Sequence, residues 1–71
     1  MPVIKIETWT LDSTKRRQLQ EGLTREVHTI LGVPLNKITV IVAEFAAEAW
    51  SDAGIPGSDP DFREKSGRTV Y

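Results

Sequence analysis

Apolar and polar residues alternate at the start of the chain, in the stretch PVIKIETW. Ile4 and Ile6 fall on one side of an extended backbone, while Lys5 and Glu7 fall on the other. This period of two, together with the β-branched residues of the stretch, predicts a strand over residues 3–10 with one apolar and one mixed face.

A period near 3.6 residues follows and predicts a long amphipathic helix. Its start is marked by Asp12, Ser13 and Thr14, whose side-chain oxygens can accept hydrogen bonds from the free amides of a first turn. Gly32 suits the left-handed position just past a helix end, and Pro34 prevents continuation. The apolar stripe of the helix consists of Leu19, Leu23, Val27, Ile30 and Leu31.

The stretch ITVIVAEF, residues 38–45, is apolar on both sides of an extended backbone. Such a strand is typical of a central, parallel position in a sheet. Strand, helix and strand then form a βαβ unit with a right-handed crossover. One helix covers only one face of so small a sheet, and we expect another copy of the chain to cover the other face.

The hydrophobic pattern decays after residue 50, where glycines and prolines interrupt any helix. We expect a single domain over residues 1–71, with a core at 2–50 and a C-terminal arm at 51–71. The arm is too polar for a core of its own. It either packs on a neighbouring subunit, with a short hairpin turning at Gly67, or forms a partly disordered terminus.

A chain of 71 residues buries only about 60% of the surface that its unfolded form exposes. It contains no cysteine, and His28 is its only histidine, so neither a disulfide nor a metal ion is expected to stabilise it. Small domains without such links are commonly completed by oligomerisation. We therefore expect a homo-oligomer without a metal or cofactor.

The charge is nearly balanced, with nine basic and ten acidic residues and a formal net charge of −1. Such a chain has no long-range positive field to attract nucleic acid or an anionic membrane. Its apolar runs are far shorter than the roughly 20 residues of a membrane-spanning helix, and no signal segment precedes them. We expect a cytoplasmic protein that binds neither nucleic acid nor a membrane.

The order of these features resembles the 4-oxalocrotonate tautomerase family. It comprises Pro2, a short strand, one helix ending in LGVPLNKI, the strand TVIVAEF and an aromatic residue in EAWSDAGIPG. The resemblance covers roughly residues 2–57. It implies an α+β fold in which a small β-α-β protomer, here with a C-terminal arm or hairpin, assembles into a hexamer or trimer.

The resemblance also implies a chemistry. Once Met1 is removed, Pro2 would be a catalytic amine that moves a proton within a 2-hydroxydienoate or an enolpyruvate and so produces the conjugated ketone. An α-amine has a pKa of about 7.7–8.0. Burial in an apolar pocket beside cations lowers that value, and a base with a pKa near the working pH is efficient.

The family's other functional positions are matched less completely. Its loop arginine falls on Leu11 or Asp12, and its second-strand arginine falls on Thr39, so both guanidinium groups are missing. The resemblance implies that Trp50 and Trp9 line the substrate pocket. The substrate carboxylate could instead be bound by Lys15 or Arg16 at the start of the helix, by Lys37 before the second strand, or by Arg63 or Arg68 from a neighbour's tail. A monoacid such as an aryl enolpyruvate is therefore expected to react better than a dicarboxylate.

Each of these residues also has an ordinary structural explanation. A proline such as Pro2 can simply begin a strand, a tryptophan can fill a subunit interface, and basic residues 15–17 can form a solvated helix face. Glu44 and Glu48 are either surface acids or groups that activate water. Two alternatives to a tautomerase stay open: a hydratase or dehalogenase of unsaturated acids, and a catalytically silent oligomeric binding protein.

Overall fold

The computed structural model describes residues 1–67. Two strands and one long helix form its main unit, and a small hairpin and a short helix follow. The elements are β1 (Val3–Trp9), α1 (Ser13–Leu31), a 3₁₀ turn (Leu35–Lys37), β2 (Thr39–Phe45), a second 3₁₀ turn (Ala47–Ala49), β3 (Ser51–Asp52), β4 (Ile55–Pro56) and α2 (Phe62–Ser66).

The strands β1 and β2 form a parallel ladder, which confirms the predicted β-α-β unit. Their register runs from Val3 opposite Thr39 to Trp9 opposite Phe45. Exposure alternates along β1, and the more buried positions of the ladder lie on the side covered by α1. The second strand begins one residue later than predicted, because the Ile38 N–H closes the preceding 3₁₀ turn on the Leu35 carbonyl at 3.2 Å.

Both ends of α1 are capped as predicted. The Asp12 side chain accepts a hydrogen bond from the Lys15 N–H at 2.8 Å. At the other end Gly32 has a φ of 69°, and its N–H donates to the His28 carbonyl at 2.9 Å. The apolar stripe is only partly covered within one chain, because Ile30 remains 69% exposed.

The segment after β2 differs from the prediction. A hairpin does form, but it turns at Ala53 and Gly54, whose φ values of 53° and 78° suit a two-residue turn. The predicted hairpin at Gly67 is wrong, because Gly67 instead ends α2 with a φ of 83° and donates to the Glu64 carbonyl. The predicted partner segment of that hairpin, residues 68–71, lies outside the described residues.

Residues 1–67 of a single chain form no closed core. No side chain within residues 1–67 is buried, and apolar side chains such as Val3 and Ile41 are exposed on the face of the sheet away from α1. The radius of gyration is 15.9 Å, whereas a compact chain of this length has about 11 Å. None of the helices in this part of the chain is long and apolar enough to cross a membrane.

Candidate active site

Pro2 stands at the entry to β1. Its carbonyl oxygen accepts a hydrogen bond from the Thr39 N–H at 3.1 Å, and the residue is half-buried. Because proline has no N–H, its nitrogen takes no part in the ladder. The structure therefore brings Pro2 and Thr39, two of the predicted site residues, side by side at the amino ends of the strands.

An open pocket of about 460 Å³ lies at the opposite, carboxyl ends of β1 and β2. Trp9 and Phe45 are opposite each other in the ladder, and Trp50 joins them from the segment after β2. We call this the aromatic pocket; its lining residues are Glu7, Thr8, Trp9, Phe45, Ala49, Trp50 and Asp52. Both predicted tryptophans thus share one pocket, and none of the described residues that line it is basic.

The aromatic pocket and Pro2 are far apart within one chain. Pro2 precedes β1 and Trp9 ends it, and a strand rises about 3.3 Å per residue, so about 23 Å separates them. One copy of the chain therefore does not bring Pro2 together with Trp9 and Trp50.

Trp50 also holds the C-terminal segment in place. Its ring meets Phe62 of α2 edge to face, with centroids 5.4 Å apart and planes inclined by 84°. Its carbonyl accepts a hydrogen bond from the Gly57 N–H at 3.0 Å. The indole N–H finds no hydrogen-bond acceptor within residues 1–67. Trp50 is therefore a packing residue of the arm as well as part of the aromatic pocket.

Arg16 makes an ion pair with Glu44 that joins α1 to β2. Its Nε donates to Glu44 Oε2, and its Nη2 lies 3.2 Å from Oε1. The same Nη2 donates to the Leu11 carbonyl at 3.1 Å, while the Leu11 N–H donates to Glu44 Oε1 at 2.7 Å. Arg16 is thus engaged with the sheet although its side chain is 38% exposed, whereas the Arg17 side chain is 80% exposed and pairs with Glu21.

These contacts favour the charged forms of both partners. Hydrogen bonds from Arg16, and then from the Leu11 N–H, lower the pKa of Glu44 below its usual value. The Glu44 carboxylate in turn raises the pKa of Arg16. The sequence predicts a surface acid or a water-activating group at Glu44, but both of its oxygens are occupied and its side chain is only 18% exposed.

One pattern in the sequence indicated that Glu44 requires a partner, but not which one. Glu44 has the same parity as Val40 and Val42, so it is a charged residue on the helix-facing side of an apolar strand. A buried charge requires a partner. The separation of 28 residues from Arg16 gave no local indication of which helix residue that partner would be.

Arg63, another of the predicted cations, lies on the exposed side of α2 and does not line the aromatic pocket of its own chain. Its contribution to the site of a neighbouring copy stays a prediction. Its neighbour Phe62 is the residue that contacts Trp50. Within residues 1–67, no three side chains of His, Cys, Asp or Glu lie close enough together to hold a metal ion.

A family model described as tautomerase enzyme matches residues 2–56, from Pro2 to the end of the small hairpin. This chain belongs to the tautomerase family. The match covers most of the chain and confirms the predicted family.

Solved structures of 4-oxalocrotonate tautomerase homologues share the fold. One has a TM-score of 0.77 at 30% identity, covering 83% of this chain and 95% of its own. TomN, a homologue in the tomaymycin biosynthetic pathway, has a TM-score of 0.77 at 28% identity, with 93% and 98% covered. A heterohexameric 4-oxalocrotonate tautomerase from Chloroflexus aurantiacus J-10-fl has a TM-score of 0.77 at 20% identity, and the match covers 84% of this chain and 98% of that one. A search of curated proteins found no match to this tautomerase chain.

Proposed function

We propose that this protein is an isomerase of small enol or dienol acids and that the Pro2 amine, freed by removal of Met1, is its general acid and base. The observation that carries the proposal is that the family match begins at Pro2, the residue that opens β1. The nitrogen of Pro2 is not used by the sheet, so it is available for chemistry once the preceding residue is removed.

The reaction requires one proton transfer in each direction. The neutral amine takes the proton of the substrate's enol hydroxyl, the oxygen forms a carbonyl, and the double bond shifts along the chain. The protonated amine then returns a proton to the distal carbon, so atoms and charge balance without a cofactor. A group that both accepts and returns a proton is most efficient when its pKa lies near the working pH.

The proposal requires assembly, because about 23 Å separates Pro2 from the aromatic pocket in one chain. We propose a homo-oligomer, a trimer or a hexamer, in which Pro2 of one copy meets Trp9 and Trp50 of a neighbour. The exposed apolar face of the sheet supports this arrangement. The heterohexameric assembly of the Chloroflexus relative is consistent with it.

The charge of the aromatic pocket favours a particular substrate. Glu7 and Asp52 contribute carboxylates to its lining, and Thr39 stands where the family has a strand arginine. A dicarboxylate would find no cation there for its second carboxylate, because none of the described residues that line the pocket is basic. We therefore expect phenylenolpyruvate, a monoacid with an aromatic body, to have a higher kcat/KM than 2-hydroxymuconate, a dicarboxylic dienol.

The test compares two forms of the same chain that differ only at the N-terminus. In one form a removable tag leaves Pro2 as the first residue; in the other an uncleaved tag keeps its nitrogen as an amide, and intact mass verifies both. General acid–base groups contribute about 10²–10⁴-fold, so the amide form should lose at least 10²-fold in kcat/KM for phenylenolpyruvate. Equal activity of the two forms would contradict the role of Pro2.

The same experiment addresses the two alternatives. Inactivity of the free-proline form would leave a silent binding protein. The hydratase alternative is not favoured at Glu44, because Arg16 and the Leu11 N–H already occupy its carboxylate.

A further inference from the structure

Arg16, Glu44 and the backbone of Leu11 form a closed set of hydrogen bonds, which we call the loop clamp. Glu44 accepts from the Leu11 N–H at 2.7 Å and from Arg16, and Arg16 also donates to the Leu11 carbonyl at 3.1 Å. Both backbone groups of Leu11 are thereby fixed. Charge-assisted hydrogen bonds of this kind are shorter and stronger than neutral ones.

The loop clamp lies directly beside the aromatic pocket. Leu11 is two residues after Trp9, and Glu44 is the residue before Phe45. Glu44 is also opposite Thr8 in the ladder. Thr8, Trp9 and Phe45 all line the pocket, so the clamp joins the ends of both pocket-forming strands.

Trp9 is the last residue of β1 and is opposite Phe45 in the ladder. The residue is 66% exposed. The chain then turns within residues 10–12 to reach the N-cap of α1. The contacts that fix Leu11 therefore act on the turn that directly follows Trp9.

We infer that Arg16 and Glu44 are positioning residues, which hold Trp9 in the aromatic pocket for the substrate through Leu11. The expected change in KM rests on the proposed function, whereas the expected change in the position of Trp9 does not. Both side chains are bonded to each other and to Leu11, and neither lines the aromatic pocket. Loss of the clamp should therefore weaken substrate binding and leave the pH dependence of kcat, which reports on Pro2, unchanged.

Four variants of the clamp separate its parts. R16M removes the guanidinium, and E44L removes both acceptors. E44Q keeps an oxygen for the Leu11 N–H, so it should be milder than E44L. The exchange of both residues, R16E with E44R, restores an ion pair but leaves no acceptor at position 44 for Leu11. The exchanged pair should recover stability without restoring the position of the Trp9 side chain.

The matched control is the neighbouring ion pair on the same helix. Arg17 and Glu21 are 2.9 Å apart and largely exposed, and neither lines the aromatic pocket. R17M removes a similar side chain one residue away from Arg16. It should behave as the wild-type protein in every measurement.

The deciding measurement is ¹⁹F NMR of the assembled protein labelled with 5-fluorotryptophan, in which Trp9→Phe assigns the two resonances. In R16M, E44L and the exchanged pair, the Trp9 resonance should shift or broaden while that of Trp50 stays. KM for phenylenolpyruvate should rise about tenfold, as expected for the loss of one strong binding interaction.

An unchanged Trp9 resonance in R16M and E44L, with only a lower melting temperature, would overturn the inference. A resonance that moves equally in R17M would also overturn it. Failure of the proposed function gives a different result: the wild-type protein is then inactive, and the Trp9 resonance alone decides whether the loop clamp positions the side chain.

Discussion

Gly57 shows how closely the C-terminal arm fits against Trp50. A methyl group at this position would stand 2.6 Å from Cη2 and 2.7 Å from Cε2 of the indole. The ring cannot easily move away, because Phe62 contacts it at a centroid distance of 5.4 Å. The absence of a side chain at residue 57 is therefore what allows Trp50 to serve both the arm and the aromatic pocket.

G57A should destabilise the protein, because overpacking of this kind costs about 1–3 kcal/mol. The matched control is G22A in α1, where an added methyl group meets nothing within 4 Å of the same chain. Alanine is a better helix former than glycine by about 0.5–1 kcal/mol, so G22A should stabilise. Urea unfolding at one protein concentration measures the change in unfolding free energy of both variants. A G57A variant as stable as wild type would contradict the close packing of Trp50 against residue 57.

The strands and the long helix could be predicted because their signals are local in the sequence. Alternation identified β1, Asp12 and Gly32 marked the ends of α1, and the apolar run identified β2. The hairpin at residues 51–56 was missed because Ala53 takes a left-handed conformation that the sequence does not signal. The pairing of Arg16 with Glu44, between residues 28 positions apart, depends on tertiary structure alone.

The pairing of α1 with β2 should make stability depend on pH. The pKa of Glu44 is lowered in the folded state, chiefly by Arg16. Its carboxylate therefore stabilises the fold above the unfolded value of about 4.3, and this stabilisation is lost as pH falls through the lower folded value. The difference in unfolding free energy between wild type and E44Q should be constant from about pH 7 to 5.5 and shrink below about pH 4.3.

The comparison with E44Q is necessary because Asp59 also has a lowered pKa, caused mainly by Lys65. Subtracting the unfolding free energy of E44Q from that of wild type removes the contribution of Asp59, which both proteins share. E21Q is the control, since an exposed ion pair contributes little to stability at any pH. A difference between wild type and E44Q that persists undiminished at pH 3 would contradict this prediction.

In the molecule as a whole, residues 1–67 of one chain do not shield their apolar side chains from solvent. The open face of the sheet carries Val3, Ile41, Trp9 and Phe45, which are all exposed. Exposed apolar patches of this kind commonly mark interaction sites. Stability and the composition of the proposed site should therefore both depend on contact between copies.

I41D should separate the copies, because an unpaired carboxylate is costly to bury. The expected result is a lower mass by light scattering, together with loss of activity towards phenylenolpyruvate. I41V keeps a β-branched apolar side chain and should retain both the mass and the activity of wild type. Wild-type mass and activity in I41D would show that this face of the sheet is not an interface.

The way in which Pro2 joins the sheet bears on the proposed removal of Met1. Met1 is 92% exposed, and the ladder bond at this end uses the Pro2 carbonyl, which removal of Met1 leaves intact. Cleavage between the first two residues therefore breaks no hydrogen bond of the sheet. The proposed removal of Met1 would therefore leave the parallel ladder as it is.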